Sequence, residues 1–405
     1  MIHISLSPNI QKDDVVAALS RLVMFAKWRD DNCTREFKKE FSRYFGGRET
    51  YLFNSGRSAL YLFLKSLNLN EGDEIILQAF TCNAVANPIK WVLAKPVYVD
   101  IDNTYNIDPA KLEEKITPNT KAVIIQNTFG IPAKINEILD IARRHDLLVI
   151  EDCAHALGAE YQGKKVGTLG DAAFFSFGRD KVISSVYGGA LLINNSSLKG
   201  QVVNEYAKIT IPSAYWTFQQ LFHVPTTYIA LLTYNSIGKY ILYALQKFNL
   251  LSYAVAKEER EGKMPKYFPA RLPEPMAYLA LIQFRKLGAL NRHRKELARI
   301  YENALKNNPD FKIIENYDAG AIFLRYPVRH KNADKIIKRA KNRGYILGDW
   351  YREVIAPVGT DMDKMNYETG SCSNAEKLAT QVINLPTNIR TTNWDAKRIV
   401  DFLIR

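Results

Sequence analysis

A chain of 405 residues with 47% apolar and 24% charged residues has the make-up of a globular protein, which excludes a wholly disordered or collagen-like chain. Its length allows a large core and two domains rather than one. Lys and Arg exceed Asp and Glu by 55 to 42, and the resulting +13 favours anionic partners. The excess is spread along the chain with no polybasic tail, so nucleic acid ranks last among them.

In chain order, the opening MIHISLSPNIQKDD lacks the basic region and long apolar run of a signal peptide, which predicts a cytoplasmic protein. An N-terminal helical segment is expected over 1–45, because Val15, Val16, Leu19, Leu22 and Val23, then Phe37, Phe41 and Tyr44, recur at helical spacing. From 46 to 199, short apolar runs (EIILQAF, PVYVDID, KAVIIQNTFG, LLVIEDCA, AAFFSFG, GALLINN) alternate with amphipathic stretches such as NEILDIARRHD. That rhythm predicts an α/β layer with a central, mostly parallel sheet flanked by helices. Ligands of such sheets sit beyond the carboxyl ends of the strands. Residues 200–268 break the rhythm as an insert rich in Tyr, Phe and Leu. Over 269–405 a smaller α+β domain is expected: a long helix near 274–307, a strand at AIFLRYPV, a helix at 333–343, a strand at YILGDW and a closing helix near 393–404.

Cys33, Cys82, Cys153 and Cys372 form no C-x-x-C pair, and His3, His145, His223, His293 and His330 show no ligand spacing, so neither a metal site nor a disulfide framework is expected. Gly158 to Lys165, GAEYQGKK, nearly matches a P-loop, but Lys165 stands where the Mg²⁺-binding hydroxyl belongs.

Three segments carry candidate chemistry. In LLVIEDCAHALGA a buried strand runs into Asp152, which reads either as a helix N-cap or as an acid pairing with a protonated cofactor ring nitrogen. In GDAAFFSFGRDKVISSVYGGALLI, Ser176 is followed five residues later by Lys181, and Gly188-Gly189 allows close backbone approach. A Schiff-base lysine needs such a partly desolvated loop at a sheet edge, although most loop lysines are merely solvated. In YLFNSGRSALYLFLKSL, the helix start near Gly56, Arg57 and Ser58 offers free N–H groups and a guanidinium to an anion, or is a cap with nothing bound.

Together these segments resemble the DegT-type sugar aminotransferases, a branch of the fold-type-I pyridoxal-phosphate (PLP) enzymes. The resemblance runs from NSGRSAL through LQAFTCNAVANPIKWVLAKPVYVDID, IIQNTFGIPAKINEILDIARRHDLLVIEDCAHALGA, GDAAFFSFGRDK and GGALL to CSNAEKLATQVINLPTNIRTTNWDAKRIVDFL. It implies that Lys181 carries the cofactor and moves the proton. Asp152 would hold the pyridine nitrogen, His155 would lie near the phenolic oxygen, and Ser176 with Gly56, Arg57 and Ser58 would clamp the phosphate. Three positions depart from the family: Cys82 stands where an aromatic residue stacks on the ring, Gly56-Arg57 replaces Gly-Thr, and Pro269-Ala270-Arg271 replaces an N-x-R whose Asn reaches the partner's phosphate.

The resemblance further implies a homodimer that moves an amino group from an amino acid, glutamate first, onto a nucleotide-linked keto-sugar. Lys181 argues against the related dehydrating enzymes, which carry His there. The alternative readings are a non-catalytic sensor or assembly protein of the same fold, or a membrane-associated aminotransferase acting on another carbonyl. The stretch 213–256 bears on the last of these: it is apolar enough for peripheral membrane contact, although Pro225, Asn235, Ser236 and Gly238 interrupt it as a spanning helix. A dimer contact or a cover over the site is the favoured reading of that stretch.

Overall fold

The computed structural model describes residues 2–5 and 7–405. At its centre lies a sheet of strands β1 (Glu49–Phe53), β2 (Glu74–Gln78), β3 (Lys95–Val99), β4 (Thr120–Gln126), β5 (Leu148–Asp152), β6 (Ala172–Ser176) and β7 (Gly189–Ile193). Across the sheet the order is β1-β7-β6-β5-β4-β2-β3. Only β7 runs against its neighbours, β6 and β1; the other pairs are parallel. This is the predicted α/β layer with its mostly parallel sheet.

Side chains alternate between two apolar cores, one on each face. Ile75, Leu77, Ile124, Ile150 and Phe174 enter one. Ile76, Val123, Ile125, Val149 and Phe175 enter the other. Strands buried on both faces read as near-continuous apolar runs, and that is why they are visible in the sequence.

The helices that bear on the site are α1 (Lys12–Val23), α2 (Asn32–Tyr44), α3 (Gly56–Ser66), α4 (Asn83–Trp91), α5 (Ala214–Leu232), α6 (Lys239–Lys247), α7 (Glu274–Arg285), α8 (Leu287–Leu305) and α9 (Asn393–Ile404). The segment 1–45 is not one helix, since a 3₁₀ turn at Phe25–Arg29 separates α1 from α2. Phe37 and Phe41 of α2 are fully buried. They meet Phe177 and Phe175 of the sheet layer at ring distances of 5.4 and 5.2 Å. Helix α2 thus packs directly on the sheet layer.

Within the apolar stretch, α5 buries Trp216, Gln220, Leu221 and Val224 and packs on α1 and α7, whereas α6 buries none of its residues. Ile229, Leu232, Ile237, Tyr240, Tyr243 and Phe248 remain exposed. Among the described residues no helix is long and apolar enough to cross a membrane.

The helix expected near 274–307 is two, broken at Lys286, whose amine turns onto Gln11, Asp13 and Asp14. Beyond it, β8 (Arg325–Arg329) pairs antiparallel with β9 (Val382–Pro386), and α9 closes the chain. The strand expected at YILGDW is only Tyr345–Ile346, paired with Ile2–His3. Gly348 then makes a single bridge to Asn384 of β9, and Asp349 and Trp350 turn toward the carboxyl edge of the large sheet.

Candidate active site

β5 ends on Asp152, which is 4% exposed at the carboxyl edge of the sheet. No helix follows; Oδ1 accepts only the Ala154 N–H of a turn, at 2.9 Å. Burial pushes the carboxyl up to about 6, against the pull of that N–H and of Lys181.

Next to β5, strand β6 delivers Ser176, and the chain then loops through Lys181 to Gly188. Distant residues hold this loop by its backbone. Asn9 Nδ2 donates to the carbonyls of Lys181 and Val182, at 2.6 and 3.2 Å. Arg294, 1% exposed, donates to the Val182 carbonyl at 2.7 Å and to Asn9 Oδ1 at 3.2 Å. The Ser7 N–H reaches Asp180 Oδ1 at 3.1 Å. Burial lowers the Lys181 pKa and Arg325 adds to that, while Cys82, Asp152 and Asp180 oppose it. A desolvated amine of this kind is readied for nucleophilic attack.

Across the edge, α3 begins at Gly56. Ser55 caps it by accepting the Ser58 N–H at 3.0 Å, which leaves the first N–H groups of the helix without a helical acceptor. The backbone approach is close. A Cβ on Gly56 would come 3.1 Å from the Phe175 carbonyl oxygen and from Ser176 Cβ. A Cβ on Gly189 would come 2.4 to 2.6 Å from the Ser55 and Gly56 backbone. These glycines let a helix start and a serine converge on one small volume, a cradle suited to a phosphate.

A cavity of about 580 Å³ opens at this edge, and seven of the eight residues singled out in the sequence line it. Ser58 does not. Its hydroxyl is buried and donates to Asn54 Oδ1 at 2.6 Å, so it supports the cap instead of facing the cavity. The Arg57 guanidinium is also engaged within the chain, by Glu259, which is fully buried. Burial works against the Arg57 cation, but the Glu259 carboxylate with Tyr187 and Tyr267 holds its pKa above the ordinary arginine value. Its charge is therefore spent on Glu259 and not free for an anion.

Cys82 caps α4 and lines the cavity, its thiol pushed up by burial. His155 lies among aromatic rings: Phe129, Trp350 and Tyr351 are within 20° of parallel to it, with centroids at 6.2, 5.6 and 6.1 Å. Its Nδ1 accepts the Phe129 N–H at 3.3 Å, and its Nε2 is 3.5 Å from the Tyr351 hydroxyl. Burial, with Lys181 and Arg325, holds its pKa well below the usual value, so the ring is neutral. Pro269-Ala270-Arg271 packs beside the phosphate cradle of its own chain: the Ala270 carbonyl accepts the Asn54 N–H at 2.9 Å.

Among the cavity residues that the sequence reading did not single out, four bear directly on the chemistry. Trp350 ends the strand expected at YILGDW and Tyr351 follows it, Tyr187 precedes the glycine pair, and Arg179 lies two residues before Lys181. Only Arg179 had a local signal, an extra charge beside the lysine. Among the described residues no group of three or more His, Cys, Asp or Glu is arranged to hold a metal ion.

A family model described as the DegT/DnrJ/EryC1/StrS aminotransferase family matches residues 9–214 and 241–404, leaving 215–240 outside. Over 168 residues the chain is 44% identical to a GDP-perosamine synthase of Caulobacter vibrioides, a match spanning 41% of this chain and only 45% of that protein. Over 396 residues it is 26% identical to a pleiotropic regulatory protein of Geobacillus stearothermophilus, covering 95% of this chain and 92% of that one. The solved structure of PseC from Helicobacter pylori, an aminotransferase involved in the biosynthesis of pseudoaminic acid, superposes with a TM-score of 0.73 at 21% identity, covering 98% of this chain and 96% of that one. This last likeness shows the fold.

Proposed function

The chain belongs to the DegT/DnrJ/EryC1/StrS aminotransferase family, and from that premise we propose that it transfers an amino group from an amino acid, glutamate first, to the keto carbon of a nucleotide-linked sugar, using PLP held on Lys181. The observation that carries this reading is the joint placement of the Lys181 amine and the Asp152 carboxylate, both desolvated, in one cavity with a glycine-walled phosphate cradle. The residues fit the cofactor. Gly56, the Arg57 backbone and Ser176 would hold its phosphate, Asp152 its ring nitrogen, and His155 would lie near its phenolic oxygen. Trp350 supplies the aromatic wall that Cys82 does not.

Bound there, PLP would act as the electron sink that eases loss of a proton from the amine-bearing carbon. The Lys181 Nζ takes that proton and returns it, acting as base and then acid. Asp152, buried and ionised at neutral pH, keeps the ring nitrogen protonated. The +13 net charge suits an anionic sugar nucleotide, and the resemblance implies a homodimer.

Purified protein supplied with PLP should show a visible band from cofactor on Lys181, which Lys181→Ala abolishes and glutamate bleaches. A wild type with no band would sink the reading. The regulatory name of the Geobacillus relative favours a second reading, a PLP-fold sensor, which a band inert to every amino acid would support.

A further inference from the structure

We propose that Arg179, positioned by the segment 215–240, is the cation that meets the phosphate of the cofactor. The inference rests on the PLP reading above. A phosphate monoester carries between one and two negative charges at neutral pH. The cradle offers it backbone N–H groups, a helix start worth about half a charge, and the Ser176 hydroxyl. Neither of the two positions expected to add to this does so. The Arg57 guanidinium is paired with Glu259. Pro269 has no side-chain donor, and the Ala270 carbonyl beside it is taken by Asn54.

Arg179 stands three residues after Ser176 and two before Lys181, on the same loop, and lines the same cavity. Its guanidinium and that of Arg57 both lie 5.7 Å from the centre of the Tyr187 ring, so the two cations flank one tyrosine. Unlike Arg57, Arg179 pairs with no carboxylate among the described residues. Its Nε is shut off from solvent without a partner, and its side-chain hydrogen bond runs from Nη2 to Ser252 Oγ at 2.6 Å. Burial lowers its pKa and the Arg57 cation adds to that, with Asp180 and Tyr187 only partly opposing them, so a guanidinium with no carboxylate in contact gains most when an anion arrives.

The chain holds Arg179 in place through a relay. The Ser252 hydroxyl donates to Gln220 Oε1 at 2.7 Å, and Gln220 Nε2 donates to the Trp216 carbonyl at 3.0 Å. Gln220 is fully buried on α5, inside the 215–240 stretch that the family model leaves out. The stretch that departs from the family thus orients the cation that stands in for the family's missing donor. Gln220 is a positioning residue and Arg179 the binding one.

The test is equilibrium titration of the full-length, cofactor-free protein with PLP and, separately, with pyridoxal, which lacks the phosphate, read by absorbance. Arg179→Gln should weaken PLP by about tenfold or more and leave pyridoxal unchanged. Arg179→Lys should recover part of the loss, and Gln220→Leu should show a smaller loss, roughly threefold, again for PLP alone. An unchanged preference for PLP over pyridoxal in Arg179→Gln overturns the proposal, as does an equal loss for both ligands, which would mark Arg179 as scaffold. If the wild type binds neither ligand, the PLP reading itself falls and this inference with it; if the wild type prefers PLP and Arg179→Gln keeps that preference, only this inference falls.

Discussion

The Lys181 amine lies 5.4 Å from the centre of the Trp350 ring, and the Arg325 guanidinium lies 3.4 Å from the same centre. One indole thus keeps two cations close together in a buried site. Burial lowers the Arg325 pKa to about 10, still high enough for a full positive charge at neutral pH. That charge disfavours a second one on Lys181.

Removing the Arg325 charge should therefore raise the Lys181 pKa. Arg325→Met keeps much of the bulk, and a shift of about one unit upward would cut the free amine at neutral pH by roughly tenfold. The pH dependence of the rate of PLP capture, followed by absorbance, should move to higher pH by that amount. An unmoved profile would show that Arg325 serves Trp350 alone.

Asp152 carries a stability cost in the cofactor-free protein. Its folded pKa, about 6, lies above the ordinary 3.8, so its favourable contribution is complete below about pH 4 and lost as pH rises through 6. The difference corresponds to about 3 kcal/mol. Asp152→Asn escapes that loss. Denaturant melts should find the cofactor-free variant equal to wild type near pH 4 and more stable at pH 7.5, while PLP binds it more weakly.

The Arg57–Glu259 pair should behave as a buried ion pair. Glu259→Gln leaves Arg57 uncompensated and should cost about 3 kcal/mol of stability, whereas replacing both residues by Met should cost far less. Glu259→Gln also frees the Arg57 charge at the start of α3, so its PLP affinity should rise although its melting temperature falls. A parallel fall in both would show that the pair shapes the cradle rather than competing with it.

Gly189→Ala drives a methyl group into the Ser55 and Gly56 backbone, which has no room to give. It should cost roughly 3 kcal/mol in denaturant melts and weaken PLP more than pyridoxal. Gly200→Ala, in open space within the helix Lys199–Ala207, is the control: it should leave PLP binding unchanged and not lower stability.

The outward apolar residues of α5 and α6 bear on the membrane reading. If that face is a dimer contact or a cover over the site, the protein should stay in the supernatant when anionic vesicles are pelleted. Co-pelleting that is lost on replacing Leu232 and Ile237 by Ser would assign that face to a lipid surface.

The sheet and the core of the site were legible in the sequence because they are local. Asp152 ends an apolar run, Ser176 and Lys181 share one loop, and Gly56 opens a helix, so short windows carry them. Glu259, Arg294 and Trp350 were not legible. Glu259 sits in KEEREGK and Arg294 in NRHRKELAR, both of which look like solvated charged faces, yet folding buries each against partners more than a hundred residues away. Trp350 looked like the end of a strand, but after Ile346 the chain keeps only a single bridge, Gly348 to Asn384, and Trp350 turns toward Lys181. Burial imposed by the tertiary fold leaves no periodicity to read.

Asn9 bonding to the Lys181 and Val182 carbonyls makes a residue 172 positions away part of what seats the lysine. Changes at Ser7 or Asn9 would therefore loosen the lysine loop from a distance, without touching the cavity itself.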